Sequence, residues 1–170
     1  LPTETDADID GIIQLAKKSR AQGGQSKGRP VQINLGVSTF IPKPHTPFQW
    51  EAQISLEQSR ERINRLKQML PRQGYKIKWH DPEQSFLEGV FSRGDRRLSQ
   101  LLEQAWQDGA RLDSWSEHYS LERWRKAATA CGIELESYLR RREVSEVLPW
   151  DHLHSGVERS FLEEELAKAQ

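Results

Sequence analysis

Cysteine is nearly absent from this chain: Cys131 is the only one in 170 residues. That excludes an internal disulfide and any metal site built from cysteines alone. No run of about 18 apolar residues occurs, so no membrane-spanning helix is expected, and no charged, apolar, small-residue leader pattern marks the start. The expected location is the cytoplasm. An excess of one charge is missing too, since 25 Lys and Arg stand against 25 Asp and Glu. Dedicated nucleic-acid domains usually carry a basic excess, because their affinity comes from neutralising phosphates. Here none exists over the whole chain, although arginines cluster locally. Gly-rich phosphate loops, a Ser nucleophile elbow and a zinc-protease helix are absent as well. At 35% hydrophobic and 29% charged the core is expected to be thin, with six Trp and five Phe offsetting the deficit.

What is present reads first as alternating helices and strands. Thr5 is a good N-cap, Asp6 and Asp8 suit the positive end of a helix dipole, and Ile9, Ile12, Ile13 and Ala16 recur at helical spacing. Gln22 to Pro30, with three glycines, reads as a flexible loop. Val31 to Ile41 alternates as a strand; Gln32, Asn34, Gly36, Ser38 and Phe40 share a face whose small polar residues suit a lined cavity. Pro42, Pro44 and Pro47 then stiffen a loop just past the strand's carboxyl end, where α/β proteins place ligand contacts. Ser55 and Gln58 form a capping box before the stripe Leu56, Ile63, Leu66 and Leu70, and Tyr75, Ile77 and Trp79 alternate with Lys76, Lys78 and His80 in a second strand. This order predicts an α/β fold with a parallel sheet or barrel over residues 1–80.

From Asp81 the pattern turns helical to the end, giving a second region over residues 81–170. Pro82 takes a first helical position, Gly94 and Asp95 sit at a helix junction, and Leu98, Leu101, Leu102, Ala105 and Trp106 form the next stripe, stopped by Gly109. Ser120 opens a helix ending at Gly132, a short helix surrounds Leu135 to Leu139, and a last helix runs from about Val157. Trp115, Trp124 and Trp150 are expected as core anchors, and Cys131 as a small buried hydrophobe. Arg140, Arg141 and Arg142 read as a solvated face. His118, His152 and His154 lack enough converging ligands for a metal.

Several stretches resemble the radical SAM enzymes. Leu1-Pro2-Thr3-Glu4-Thr5, followed by Asp6 and Asp8, is similar to a turn after one strand of their barrel. Ser38-Thr39-Phe40-Ile41-Pro42-Lys43-Pro44-His45-Thr46-Pro47-Phe48 looks like the Pro-rich turn after the following strand, as in tRNA methylthiotransferases and relatives. Leu87 to Arg97, Trp115-Ser116-Glu117-His118 and Leu148-Pro149-Trp150-Asp151-His152 resemble an uncharacterised subgroup that often carries a cobalamin-binding-like N-terminal region. The resemblance implies the C-terminal part of a partial (β/α) barrel followed by a mostly helical segment. It also implies a parent enzyme that holds a 4Fe-4S cluster and S-adenosylmethionine, with cobalamin an option. The start without an initiator methionine leads to the expectation of a cut inside that longer polypeptide. Its N-terminal remainder would be the partner, and an RNA a substrate by kinship alone.

The family's cluster needs three closely spaced cysteines, so no catalytic residue is assigned to this chain. By position in such a barrel Glu4 and Ser38 are candidates for cofactor contact, and Lys43 and His45 for lining the substrate. Arg93 and Arg96 join them as forks for phosphate. Each has a structural counterpart: Glu4 as a helix-start residue, Lys43 as solvated, Arg93 and Arg96 as the charged surround of a helix junction. Two other functions stay open, a non-catalytic RNA-binding module and a protein-docking domain.

Overall fold

A computed structural model describes residues 1–28 and 31–169, so the last part of the expected loop at 22–30 lies outside the described residues. The fold is mixed α/β and divides into two compact units. Unit 1 comprises Leu1–Phe40 and Ile54–Pro82, and unit 2 comprises Ile41–Gln53 and Glu83–Gln170.

Unit 1 is built on two strands, β1 (Ile33–Val37) and β2 (Tyr75–Trp79), paired in parallel from Ile33 opposite Tyr75 to Val37 opposite Trp79. Helix α1 (Asp6–Lys27) begins at Thr5, whose backbone N–H and hydroxyl both donate to the Asp8 carboxylate at 2.8 and 2.7 Å. The backbone donor first, then the hydroxyl, holds the Asp8 carboxyl below its usual range. The helix does not give way at Gln22. It runs through Gly23 and Gly24 and stops at Gly28, which takes the left-handed conformation at φ 60°. A helical glycine costs about 1 kcal/mol relative to alanine, too little to end a helix anchored by buried Ile9, Ile13 and Ala16.

Helix α2 (Leu56–Met69) begins with the expected reciprocal cap: Ser55 Oγ accepts from Gln58 N–H at 3.1 Å and Gln58 Oε1 from Ser55 N–H at 3.0 Å. Leu66 of α2 and the adjoining Leu70 join Ile9, Ile13 and Ala16 in one core, against which Leu35, Val37, Tyr75 and Ile77 pack. One face of the sheet is therefore covered by helices. Residues of the opposite face, Asn34, Gly36, Lys76 and Lys78, are exposed. β1 is shorter than the predicted 31–41 because its ladder ends where β2 ends, with His80 N–H donating to Val37 O at 3.1 Å.

Unit 2 holds α3 (Pro82–Arg93), α4 (Leu98–Gln107), α5 (Leu121–Ala130), α6 (Arg159–Ala169) and single 3-10 turns at Pro47–Trp50 and Leu135–Leu139. Trp50, Leu148, Trp150, Leu162 and Leu166 form its clearest apolar cluster. α4 packs on α5, burying Leu98, Leu101 and Ala105, while Leu102 and Trp106 face outward, so the apolar stripe is narrower than predicted. Trp124 and Trp150 are buried as expected, Trp124 meeting Phe91 edge-on at 5.4 Å, but Trp115 is 61% exposed. It lies in the turns between α4 and α5, which bury no stripe that could draw it inward. Gly94 has no left-handed backbone; a side chain there would meet Val90 O at 2.9 Å, so close approach is its requirement.

Gln53 fixes the proline-bearing segment inside unit 2. Its N–H donates to Leu139 O at 3.0 Å and its Nε2 to Ser85 O at 2.9 Å. Its side chain lies so close to Gly89 that an added Cβ would sit 2.8 Å from Gln53 Cδ and 2.9 Å from Leu139 Cδ2. Gly89→Ala is expected to lower unfolding stability by about 1–3 kcal/mol through overpacking, read as a fall in the urea midpoint; an unchanged midpoint would show that this packing is looser than described.

Candidate functional site

In unit 1 the carboxyl ends of the strands carry Ser38, Thr39 and His80. Ser38 is exposed and its hydroxyl has no partner among the described residues. Thr39 Oγ1 shares a 2.6 Å hydrogen bond with Ser59 Oγ, tying the chain to α2 as it leaves β1. Glu4 is committed elsewhere: Arg62 Nη1 donates to its Oε1 at 2.6 Å, and Nη2 to its backbone oxygen at 3.2 Å. The fork fastens the start of the chain to α2, as Arg65 does with Asp10 at 2.8 Å.

In unit 2 the proline-bearing loop is internally braced. Thr46 Oγ1 donates to Lys43 O at 2.7 Å, and Gln49 Oε1 accepts from His45 N–H at 3.0 Å and from Trp150 Nε1 at 2.7 Å. His45 has φ 57°, a left-handed backbone uncommon outside glycine and held here by the turn. Lys43 Nζ reaches Glu88 Oε1 at 2.5 Å and Ser92 Oγ at 2.9 Å. This contact is a clamp between loop and α3.

Arg93 is fully buried. Its Nη1 donates to Glu51 O and its Nη2 to Arg140 O at 2.8 Å, while Arg142 Nη2 donates to Arg93 O at 2.9 Å and Arg142 N–H to Trp50 O at 2.8 Å. Burial, then the neighbouring Arg142 and Arg140 charges, pushes the Arg93 guanidinium down to about 10, still protonated at neutral pH. Burial likewise lowers Arg142. Arg142 thus departs from the expected solvated run, and Arg93 from the expected charged surround: both cross-brace the chain segments at 51, 93 and 140–142. Arg140 and Arg141 stay at the surface, and Arg96 is exposed with no carboxylate partner among the described residues. Cys131 is half-buried at the end of α5.

A 4Fe-4S cluster does not fit these residues, because one cysteine cannot supply three thiolates. Among the described residues no group of three or more His, Cys, Asp or Glu is placed to hold a metal ion. For S-adenosylmethionine, Ser38 offers an open hydroxyl, whereas the Glu4 carboxylate is taken by Arg62. Among the described residues no helix is long and apolar enough to cross a membrane. The side chains that sequence reasoning passed over are Arg62, which engages Glu4, and Lys76 and Lys78, exposed on the open face of the sheet. The alternation of the two lysines with Tyr75, Ile77 and Trp79 was the available signal for the last two.

No family model matches the chain, and no solved structure matches it. It is similar to an uncharacterised protein of Methanocaldococcus jannaschii, 33% identical over 103 residues that make up 61% of this chain and 21% of that protein. The chain thus spans about a fifth of the length of this relative.

Replacing Arg93 by lysine leaves one ammonium to serve two carbonyls. Arg93→Lys is expected to lose about 1–3 kcal/mol, the cost of one buried acceptor left unmade, measured by chemical denaturation; full stability would return Arg93 to the ligand candidates. At the surface, Arg140 grips Glu146 with both nitrogens at 2.9 and 2.6 Å, and with the Glu143 N–H holds its carboxyl down to about 2 from 4.5. A depressed carboxyl stabilises the fold above its unfolded value of 4.5, and the contribution disappears as pH falls through about 2. In a carboxyl NMR titration Arg140→Gln should move Glu146 back toward 4.5; an unmoved curve would discard the pairing.

Proposed function

We propose that the chain is the distal wall of a partial (β/α) barrel in a longer radical SAM enzyme, followed by a helical extension, working in the cytoplasm. The observation that carries this reading is the sheet of unit 1. Two parallel strands have one face packed on α1 and α2 and a polar opposite face left exposed. All-parallel sheets are ordinarily covered on both faces, and a two-stranded one is marginal by itself. An outer apolar face under helices agrees with a barrel segment, and an inner face of Asn34, Gly36, Lys76 and Lys78 suits an interior left open to a ligand in place of the packed apolar layers of a closed barrel. That the similar M. jannaschii protein is several times longer than the matched region agrees with a larger parent.

In that parent the cluster would be held by cysteines outside these residues, and S-adenosylmethionine would supply a radical by reductive cleavage. This chain would close the barrel, offer Ser38 toward the cofactor and, through the loop at Lys43 and His45, shape the approach of substrate. RNA modification is the reaction class favoured by kinship.

The experiment is anaerobic reconstitution of the parent polypeptide and of the 170-residue chain with iron, sulfide, reductant and S-adenosylmethionine. The parent should gain iron–sulfur absorbance and release 5′-deoxyadenosine, and the chain alone should do neither. A parent that lacks the three cysteines and releases no deoxyadenosine would end this reading.

A further inference from the structure

The neutral composition hides a division of charge between the two units. Unit 1 carries 12 Lys and Arg against 7 Asp and Glu, a net +5, and unit 2 carries 13 against 18, a net −5. Within unit 1 the acids of the N-terminal helix are already taken: Glu4 by Arg62, Asp8 by Thr5, Asp6 and Asp10 by Arg65. Of the net +5, Lys76 and Lys78 on β2 supply +2, and the helices and connecting segments supply the rest. Neither strand contains an acidic residue, and β2 presents Lys76 and Lys78 on the exposed face.

From this geometry we infer that the open face of the sheet binds the phosphate groups of an anionic substrate through Lys76 and Lys78. The two ammonium groups rise from positions about 6.6 Å apart along the strand, and neither has a carboxylate partner among the described residues. Asn34 lies beside Lys76 in the ladder and adds an amide donor. Gly36 lies beside Lys78, with no atom within 4 Å of where its Cβ would be, so an oxygen-rich group has room there. Lysine on an exposed strand also discourages strands of other molecules from pairing. That role would ask nothing of Asn34 or Gly36 and needs no ligand.

The inference names the substrate chemistry of the proposed barrel interior and rests on that reading for its place in catalysis, but binding is measurable without turnover. The test uses the 170-residue chain and a fluorescein-labelled ten-nucleotide single-stranded RNA, read by anisotropy between about 50 and 200 mM salt, with adenosine 5′-monophosphate and inorganic pyrophosphate as competitors. Affinity should fall with salt. Lys76→Gln/Lys78→Gln should weaken it at least about tenfold and flatten the slope of log K against log salt by about 1.4, two phosphate contacts on a single strand. Lys17→Gln/Lys18→Gln, an equal loss of charge on the exposed side of α1, should change it far less. Displacement of the RNA by millimolar adenosine monophosphate would identify a small phosphate ester as the source, and resistance to it a polynucleotide; both keep the proposal. It is overturned if the folded chain, checked by circular dichroism, binds none of these probes, or if the two double variants weaken binding equally. Lysine-dependent binding in a parent that makes no deoxyadenosine would sink the enzyme reading alone, and lysine-independent binding in an active parent would sink this one alone.

Discussion

Parallel pairing of Ile33–Val37 with Tyr75–Trp79 sets the terms for the rest of the molecule. Parallel strands cannot be joined by a tight turn; the chain must leave one end of the sheet and re-enter at the other through a crossover. Here the crossover does two jobs. Its later part, α2, returns over the sheet and contributes Leu66, so that Ile9, Ile13 and Ala16 of α1 have something to pack on. Its earlier part, Ile41–Gln53, is lent to unit 2, where Trp50 enters the apolar cluster with Leu148 and Trp150. A change that frees this segment therefore disturbs unit 2 through Trp50 and Gln53 and lengthens the untethered crossover of unit 1, raising the entropy cost of closing the parallel pair.

Unit 2 meets its thin composition in a particular way. Where apolar side chains are scarce, amides and guanidiniums are buried instead and find polar partners: Gln49 with Trp150 and His45, Gln53 with Ser85, Arg93 with Glu51 and Arg140. Such bonds add little net energy each, yet leaving one unmade is costly. They fix register more than they add stability. The Nε atoms of Arg93 and Arg142 are buried without an acceptor among the described residues, consistent with the lowered basicity of both groups.

What the residues announced in advance follows the range of the interaction involved. The Ser55–Gln58 cap, the Leu56 to Leu70 stripe, the Ser120 cap and the alternation in β1 depend on neighbours within four positions, and each is found where expected; in β2 the alternation holds through Lys78, and Trp79 at the strand's end is exposed. Features set by distant partners were not legible. β1 is cut to five residues by the length of β2, and α1 passes two glycines because tertiary burial outweighs local propensity. Arg93 and Arg142 look, one by one, like members of charged runs; only the carbonyls of Glu51, Arg140 and Arg93, up to 49 residues away, make them interior. For the candidate site the outcome is similar. The polar face of β1 was readable from its period of two, whereas the engagement of Glu4 by Arg62 spans 58 positions and left no local trace.

Net charge illustrates the same point at the scale of the whole chain. A total of zero argues against a polyanionic ligand only if charges are mixed at the scale over which they act. In physiological salt that scale is about 8 Å, so a ligand responds to the surface within a screening length and not to the sum over the polypeptide. The +5 of unit 1 is collected from residues 1–40 and 54–82, and the segment between them adds nothing because Lys43 and Glu51 cancel. Pairing refines it further: Arg62 and Arg65 are consumed by Glu4, Asp6 and Asp10, whereas Lys76 and Lys78 stand on the open face of the sheet with no carboxylate among the described residues opposing them. The physical case for phosphate recognition therefore rests on which charges the fold leaves uncompensated, a property that composition cannot express.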